Sequence, residues 1–310
     1  MPDPIELMEE GKRCEQHGVL DRALENYSRA AECASDPAVV AQALTDTSRI
    51  HRCLSEWEPA LEAARRAQAA ARSTTAVGLL ADAVNAEALV LLCRGEYEDA
   101  LRLFNQILEM AEEPRVRGIA LQNIGSIFAQ QGKLGAAERA FAESFGWFRH
   151  AGYRLGEAMA LNNHGQVALD RGNVQLAEQL LEHAIAAARE LEYGELIALA
   201  TLNYAKALSA RGQHARAEEQ ASTALGYFAT SGNRWREIEC LRVIGAINED
   251  IGDCEDATRC YERALSIAES LGVRQDISDV RDCLTRVSSR QKGSRGTSAP
   301  ASSKGHAAKR

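Results

Sequence analysis

The feature that most constrains this sequence is a short motif that recurs at nearly constant spacing along most of its length. Stretches such as GVLDRAL, GEYEDAL and GNVQLAE share a turn-forming first residue and an alanine five residues later. The motif begins at positions 18, 55, 95, 132, 172, 212 and 252. A period of this length is typical of repeat architectures, in which each unit packs only against its neighbours. We therefore expect seven stacked repeats rather than one globular core.

Each repeat also carries side chains of fixed size at fixed distances from its turn. Seven residues before the turn the side chain is small: Gly11, Ser48, Ala88, Gly125, Gly165, Ala205 and Gly245. Nine residues after five of the turns it is large: Tyr27, Phe104, Phe141, Leu181 and Tyr261. Between turns, apolar residues recur at helical spacing. This predicts two antiparallel helices per repeat that approach closely at the small residues, with the large side chain packing into the next pair.

The turns and the apolar spacing give approximate bounds for these helix pairs. We expect the pairs at 4–36, 38–75, 76–113, 114–152, 154–192, 194–232 and 234–272. A final, more polar helix near 274–289 is predicted to cap the last pair. The repeat body would then occupy 1–290. Residues 291–310 are rich in Ser, Gly, Ala and Lys/Arg, a composition that predicts a disordered basic tail.

This pattern resembles the tetratricopeptide repeat. Its length of about 40 residues is similar to the repeats of kinesin light chain, of Pins-type adaptors and of MalT-like regulators. The stretch LNNHGQVALDRGNVQLAEQLLEHAIAAARELEYGE shows the resemblance most clearly, whereas the second repeat departs from it, with Ser55 at the turn and Pro59 shortly after. The resemblance implies an all-α, right-handed α-solenoid of about seven helix-turn-helix repeats with a C-terminal capping helix. It also implies that the first helix of each pair lines a concave face.

Composition and charge argue against several other classes of protein. The chain is 45% apolar but only 5% aromatic, and its sequence contains neither a long apolar run nor a secretory leader. We expect a cytoplasmic protein without membrane contact. Its 8 cysteines lack metal-ligand spacing, which favours free thiols and predicts no metal and no cofactor. The first 289 residues carry 30 Lys/Arg against 44 Asp/Glu, so we do not expect nucleic acid to bind the repeat body.

The sequence shows no motif for catalysis. It has no glycine-rich phosphate loop, no nucleophile elbow and no zinc-protease motif, so we expect a protein that is not an enzyme. His164 is the one histidine beside other candidate binding residues, where it would titrate against a bound group. The alternative is that it is an ordinary helix residue.

Three asparagines occupy the same place in successive repeats. Asn123, Asn163 and Asn203 each stand nine residues before a turn and are 40 residues apart. Equal offsets in a solenoid predict one line of side chains on the concave face. The resemblance implies a binding role, since related arrays hold the backbone of an extended peptide with such a ladder, and asparagine offers both an acceptor and two donors. The alternative is that these side chains bond to neighbouring helices and stabilise repeat stacking.

Further polar residues are predicted on the same face. In the central repeats they are Gln122, Ser126, Asn162, Gln166 and Lys206. Towards the two ends the face becomes charged: Arg49 and Arg52 on one side, and Glu239, Arg242, Glu249 and Asp250 on the other. We therefore expect a groove with a mostly uncharged middle and charged ends.

This groove suggests a non-catalytic adaptor or scaffold that binds an extended segment of a partner protein, in bacterial signalling or complex assembly. One alternative is a regulator that responds to a small ligand or peptide. A third possibility is an accessory subunit of an enzyme complex.

Overall fold

The structure is a computed structural model that describes residues 2–296, with side chains described as far as residue 290. These residues form fifteen α-helices and no strand. The chain divides into two compact units, Met1–Arg171 and Gly172–Arg310. The first unit contains α1 (Pro4–Gln16), α2 (Leu20–Cys33), α3 (Pro37–Cys53), α4 (Trp57–Arg72), α5 (Val77–Cys93), α6 (Tyr97–Met110), α7 (Pro114–Gln130), α8 (Leu134–His150) and α9 (Arg154–Asp170). The second contains α10 (Val174–Glu190), α11 (Gly194–Ala210), α12 (His214–Ser231), α13 (Arg234–Ile251), α14 (Cys254–Leu271) and α15 (Arg274–Gly296).

Within each unit, consecutive helices pack against each other, and the first helices of adjacent repeats also touch. In the first unit α3 contacts α5 and α7 contacts α9, while in the second α11 contacts α13 and α13 contacts α15. Apolar faces at helical spacing bury their side chains between these layers. The predicted all-α solenoid of helix pairs is confirmed.

The tight turn inside each repeat depends on a left-handed backbone at its first residue. Gly132, for example, has φ of 70° and follows the last turn of α7. Glycine adopts this conformation without a steric cost because it lacks a Cβ atom. The second repeat has Ser55 at the same place, with φ of 61°. The turn is therefore kept there even though the side chain is unfavourable.

The small and large residues of a repeat meet directly. A Cβ atom built on Gly125 would lie 2.8 Å from Cε1 of Phe141, and one built on Gly245 would lie 2.5 Å from Cε1 of Tyr261. Close approach of the two helices at the small residue is confirmed. The ring lies on the glycine of its own pair, and Tyr261 also belongs to an apolar cluster that includes Val287 of the following helix.

The last helix closes the second unit. In α15, Val280 and Val287 are buried and pack in one apolar cluster with Ile238 and Tyr261. The helix is described as far as Gly296, and so it includes residues 291–296, which the sequence placed in the tail. The rest of the predicted tail, 297–310, lies outside the described residues. Within the described part of the chain, no helix has the length and apolar character that crossing a membrane requires.

Candidate functional site

The second unit contains a pocket of about 610 Å³ between the helices α11, α13, α14 and α15. Pockets that hold small ligands or parts of peptides have volumes of roughly 300–1,000 Å³. Its lining includes four residues that the sequence placed on the concave face, namely Lys206, Glu239, Arg242 and Asp250. The other lining residues are Ser209, Ala210, Val243, Ala246, Ile247, Tyr261, Cys283 and Arg286.

The wall contributed by α13 combines an apolar middle with charged ends. Residues three or four apart lie on one face of a helix, and this places Val243, Ala246 and Ile247 between Arg242 and Asp250. With a rise of about 1.5 Å per residue, the backbones of Arg242 and Asp250 are separated by about 12 Å. The pocket therefore presents opposite charges at the two ends of an apolar strip.

The charges near the amino-terminal half of α13 form a network. Nζ of Lys206 donates to Oε1 of Glu239 at 2.8 Å, and Nη1 of Arg236 donates to Oε2 of Glu239 at 2.7 Å. Burial opposes ionisation of Glu239, but the charges and hydrogen bonds of Lys206 and Arg236 outweigh it and lower the pKa of Glu239. Arg242 lies 3.4 Å from Oδ2 of Asp279 and 3.7 Å from Oδ1 of Asp276.

The position of Glu249 in its repeat suggested an unpaired charge on the concave face, but the structure shows a buried and paired carboxylate. Its carboxylate is only 3% exposed and accepts hydrogen bonds from Arg286, at 2.9 and 2.7 Å, and from the Tyr261 hydroxyl at 2.7 Å. Arg290 lies 3.4 Å away. Burial alone would raise the pKa of Glu249, but these donors lower it. The carboxylate therefore joins α13, α14 and α15.

The same arrangement occurs near the start of the first unit. The Tyr27 hydroxyl donates to Oε2 of Glu15 at 3.1 Å, and Arg49 pairs with both Glu15 and Asp46. Arg49, which the sequence placed in the groove, therefore already has two carboxylate partners. These ion pairs were not predicted, although the sequence contains a signal for them: tyrosine replaces phenylalanine at the large position only where glutamate precedes the turn by three residues.

The central amide residues are divided between the two units. In the first unit, Asn162 is 3% exposed and donates to Oδ1 of Asn163 at 3.2 Å, whereas Asn123 and Asn163 are half-buried. In the second unit, Asn203 is 4% exposed and accepts a hydrogen bond from Lys206 at 3.2 Å. Asn162 and Asn203 are both buried and have polar partners, and this supports a structural contribution from them.

Several side-chain carbonyl oxygens on the first helices of the first unit have no hydrogen-bond donor among the described residues. They are Oε1 of Gln122, Oε1 of Gln166 and Oδ1 of Asn85, of which the last was not predicted. Gln166 uses its amide nitrogen to bond Asp170 at 2.8 Å, and Ser126 bonds the backbone of its own helix. Buried acceptors are normally satisfied, so these oxygens mark places where a donor would stabilise the protein.

The remaining predicted groove residue, Arg52, lines a smaller pocket of about 130 Å³ on the first unit. Asp82 and Asn85 lie in the same lining. Burial raises the pKa of the Asp82 carboxyl. Most of the lining side chains are polar, and the pocket is too small for more than one side chain of a ligand.

His164 lies on α9, with Nε2 buried and 3.7 Å from Oε1 of Glu138. Glu138 in turn pairs with Arg171. Burial lowers the pKa of His164 below its ordinary value, and this favours the neutral imidazole. Among the residues that the structure describes, no three His, Cys, Asp or Glu side chains are grouped so as to hold a metal ion.

Helix pairs stacked in this way, with left-handed turns and a small residue opposite a large ring, define a helical repeat protein. The tetratricopeptide-repeat family model matches residues 117–190 of this chain. No curated protein matches its sequence.

Three solved structures illustrate the likeness in fold. The apo form of RapI has a TM-score of 0.69 at 15% identity, covering 89% of this chain and 99% of that one. The apo form of the quorum sensor NprR from B. thuringiensis has a TM-score of 0.70 at 16% identity, with 84% and 75% covered. A Rap protein complexed with competence and sporulation factor has a TM-score of 0.67 at 13% identity, with 93% and 87% covered. At these identities the likeness concerns the fold alone.

Proposed function

We propose that this chain is a non-catalytic interaction module that binds an extended segment of a partner protein. The observation that carries the proposal is the pocket of about 610 Å³ in the second unit, with its apolar strip between the charged residues Arg242 and Asp250. Extended chain advances by about 3.3 Å per residue, so a segment of about four residues spans the 12 Å between these positions. An apolar strip with charged ends suits such a segment, because side chains bury on the strip while polar groups pair at the ends.

The polar first helices of the first unit support the same function. Gln122, Gln166 and Asn85 are half-buried, and the carbonyl oxygen of each has no donor among the described residues. Rotation of these side chains towards a bound segment would let the oxygens accept hydrogen bonds from its backbone N–H groups. Each such hydrogen bond is worth about 0.5–1.5 kcal/mol. This contribution would give affinity without selecting particular side chains.

The solved structures of similar fold favour a peptide over a large folded surface. One of them is a Rap protein in complex with competence and sporulation factor, and another is described as a quorum sensor. For the present chain, this similarity makes short peptides a sensible first probe of the pocket.

The pocket is tested by filling it without disturbing the core. Ala246 is exposed and lines the middle of the strip, so Ala246→Trp places an indole there. Ala186→Trp is the matched control, because Ala186 is an exposed residue of α10 that does not line the pocket. Binding of a library of acetylated, amidated pentapeptides is measured for both variants and for the unmodified chain. We expect Ala246→Trp alone to lose binding; equal binding by all three proteins would contradict the proposal.

The asparagine line is tested separately. Asn123→Ala, Asn163→Ala and Asn203→Ala are combined, and both peptide affinity and melting temperature are recorded. Lower affinity at an unchanged melting temperature supports the binding ladder. Unchanged affinity with a lower melting temperature supports the structural role, which the burial of Asn203 favours.

A second function is favoured by the position of α15. Cys283 and Arg286 of this helix form part of the pocket wall, so a ligand in the pocket would contact it directly. Any ligand that prefers the docked helix stabilises it by mass action. A peptide-responsive regulator would therefore show slower hydrogen exchange in 274–290 when peptide is bound. Unchanged hydrogen exchange in this helix at saturating peptide would contradict the regulatory function, and only the adaptor function would remain.

A further inference from the structure

The positive charges around the pocket of the second unit are already compensated. Lys206 bonds Glu239 at 2.8 Å, and Arg286 makes two hydrogen bonds to the buried Glu249. Arg242 faces Asp276 and Asp279 at 3.7 and 3.4 Å. A cation that is paired in this way has little remaining attraction for an anionic ligand, because its partner would have to be displaced.

Asp250 differs from all of these residues. It lines the pocket from the last turn of α13 and is exposed. Among the side chains described, those of residues 2–290, it has neither a hydrogen bond nor an ion pair. It is therefore the one charged residue of the pocket lining that has no partner of opposite charge within the described structure.

The helices around Asp250 add to its negative charge. The helix α11 ends at Ala210 and α13 ends at Ile251, and Ser209, Ala210 and Asp250 all line the pocket. The carboxyl end of a helix carries a partial negative charge from its unpaired carbonyl groups. In α13 one of these groups, the backbone carbonyl of Glu249, accepts a hydrogen bond from Nη1 of Arg290 at 3.3 Å, and the others keep their partial charge. Two such ends and one carboxylate therefore converge on this end of the pocket, and a positive charge is the complementary ligand group.

The neighbouring lining suits a long side chain that ends in a cation. Val243, Ala246 and Ile247 present an apolar strip that leads to Asp250. Lysine and arginine bury their methylene groups on apolar surface and keep the charged end in polar surroundings. Arg286 does not compete for Asp250, since its guanidinium is bound to Glu249.

We propose that this pocket selects a lysine or arginine side chain of the bound segment, with the methylene groups on Val243, Ala246 and Ile247 and the cation paired with Asp250. The proposal rests on the proposed function, since it specifies the chemistry of the segment that the same pocket would bind. It assigns to Asp250 the role of a specificity-determining residue.

The test uses a positional-scanning library of acetylated, amidated pentapeptides, whose blocked ends leave side chains as the only charges. The full chain, Asp250→Asn, Asp250→Glu and Glu262→Gln are compared. Glu262 is an exposed acid of α14 that does not line the pocket, so its loss changes net charge equally. The best lysine or arginine peptide is also remade with norleucine or citrulline in place of the cation.

We expect the full chain and Glu262→Gln to enrich lysine or arginine at one position, and Asp250→Asn to lose that enrichment. Removing either the cation or the carboxylate should weaken binding at least about tenfold, the usual effect of losing one charge-assisted hydrogen bond. Asp250→Glu should retain the preference. Peptide binding without a cation preference, or a preference that survives Asp250→Asn, would overturn this inference and leave the proposed function intact. No peptide binding at all would overturn both.

Discussion

The hydroxyl of Tyr261 donates a 2.7 Å hydrogen bond to the carboxylate of Glu249, twelve residues earlier in the chain, and both groups are buried. Tyr27 and Glu15 repeat this relationship at 3.1 Å near the start of the chain. In each case an arginine of a following helix, Arg286 or Arg49, pairs with the same carboxylate. In the second unit one buried acid, Glu249, thus holds three helices together, and its contribution to stability can be measured.

The hydrogen bond is isolated by changing Tyr261 to phenylalanine. Phe104 and Phe141 occupy the same offset in other repeats, so the ring is expected to fit. Loss of a hydrogen bond to a charged acceptor should lower the free energy of unfolding by about 1.5–3 kcal/mol. Urea denaturation followed by circular dichroism measures the change. Tyr227→Phe is the control, since Tyr227 is exposed, and an equal loss in that variant would contradict the explanation.

Removing the charge of Glu249 should remove a defined part of the pH dependence of stability in the second unit. The pKa of Glu249 is lowered in the folded protein, so its stabilising effect is present above the unfolded value near 4.5 and is lost as the pH falls through the folded pKa. Glu249→Gln should therefore cost about 2 kcal/mol at pH 7. Its deficit relative to the unmodified chain should shrink below about pH 4.5. A deficit that is constant from pH 7 to pH 3 would show that the charge is not responsible.

Close helix contact predicts opposite effects for two glycines of the first unit. A Cβ at Gly125 would lie 2.8 Å from the Phe141 ring, whereas one at Gly146 has nothing within 4 Å. Gly125→Ala should destabilise by about 1–3 kcal/mol because the ring must move. Gly146→Ala should stabilise by about 0.5–1 kcal/mol, since alanine favours helix. Melting temperatures of the two variants would distinguish these effects, and a change in the same direction would refute the packing argument.

The second repeat offers a stabilising substitution. Ser55 has φ of 61° at the turn where the other six repeats have glycine. Ser55→Gly should raise the free energy of unfolding by about 1 kcal/mol, because the left-handed conformation no longer crowds a Cβ atom. Gly132→Ala, the reverse change at an equivalent turn, should lower it by a similar amount. Thermal denaturation of both variants tests the pair; no gain from Ser55→Gly would mean that the serine side chain compensates for its backbone.

His164 should make folding less favourable in mild acid. Burial lowers its pKa in the folded protein, so its neutral form is favoured and stability declines as the pH falls below the unfolded value of about 6.5. The nearby charges that face it are Glu138 and, through Glu138, Arg171. Replacing His164 with glutamine should remove this part of the pH dependence between pH 7 and pH 5. Parallel stability curves for the two proteins would argue against a depressed pKa.

The constant spacing of the repeats made the helices and turns predictable from the sequence. The roles of several side chains could not be predicted in this way. Turn residues such as Gly132 and small residues such as Gly125 are specified locally by backbone geometry, and equal spacing makes them visible in one sequence. The pairing of Glu249 with Arg286 is different, since it depends on how two helices pack and on which residues come within reach. Equal offsets alone suggested that Glu249 was a groove charge.

The same limit applies to the candidate site. Lys206, Arg242 and Asp250 were placed on the first helices from their position in the repeat, and they line one pocket of the second unit. The sequence could not show which of these charged residues has a partner of opposite charge. The partners of Arg242, for example, are Asp276 and Asp279, which lie on another helix. Asn85 was overlooked because its repeat has no asparagine at the offset shared by Asn123 and Asn163.

The ion pairs at Glu15 and Glu249 also limit how repeats of this kind can be exchanged. Where the large residue is Phe104 or Phe141, the position three before the turn is Leu92 or Ala129, and no carboxylate is present. Tyrosine, glutamate and the arginine of the following helix therefore occur together or not at all in these repeats. A repeat that carried this glutamate without the tyrosine and the arginine would leave an unpaired carboxylate, half-buried at Glu15 and buried at Glu249. Evolution and protein engineering must therefore change the three positions together.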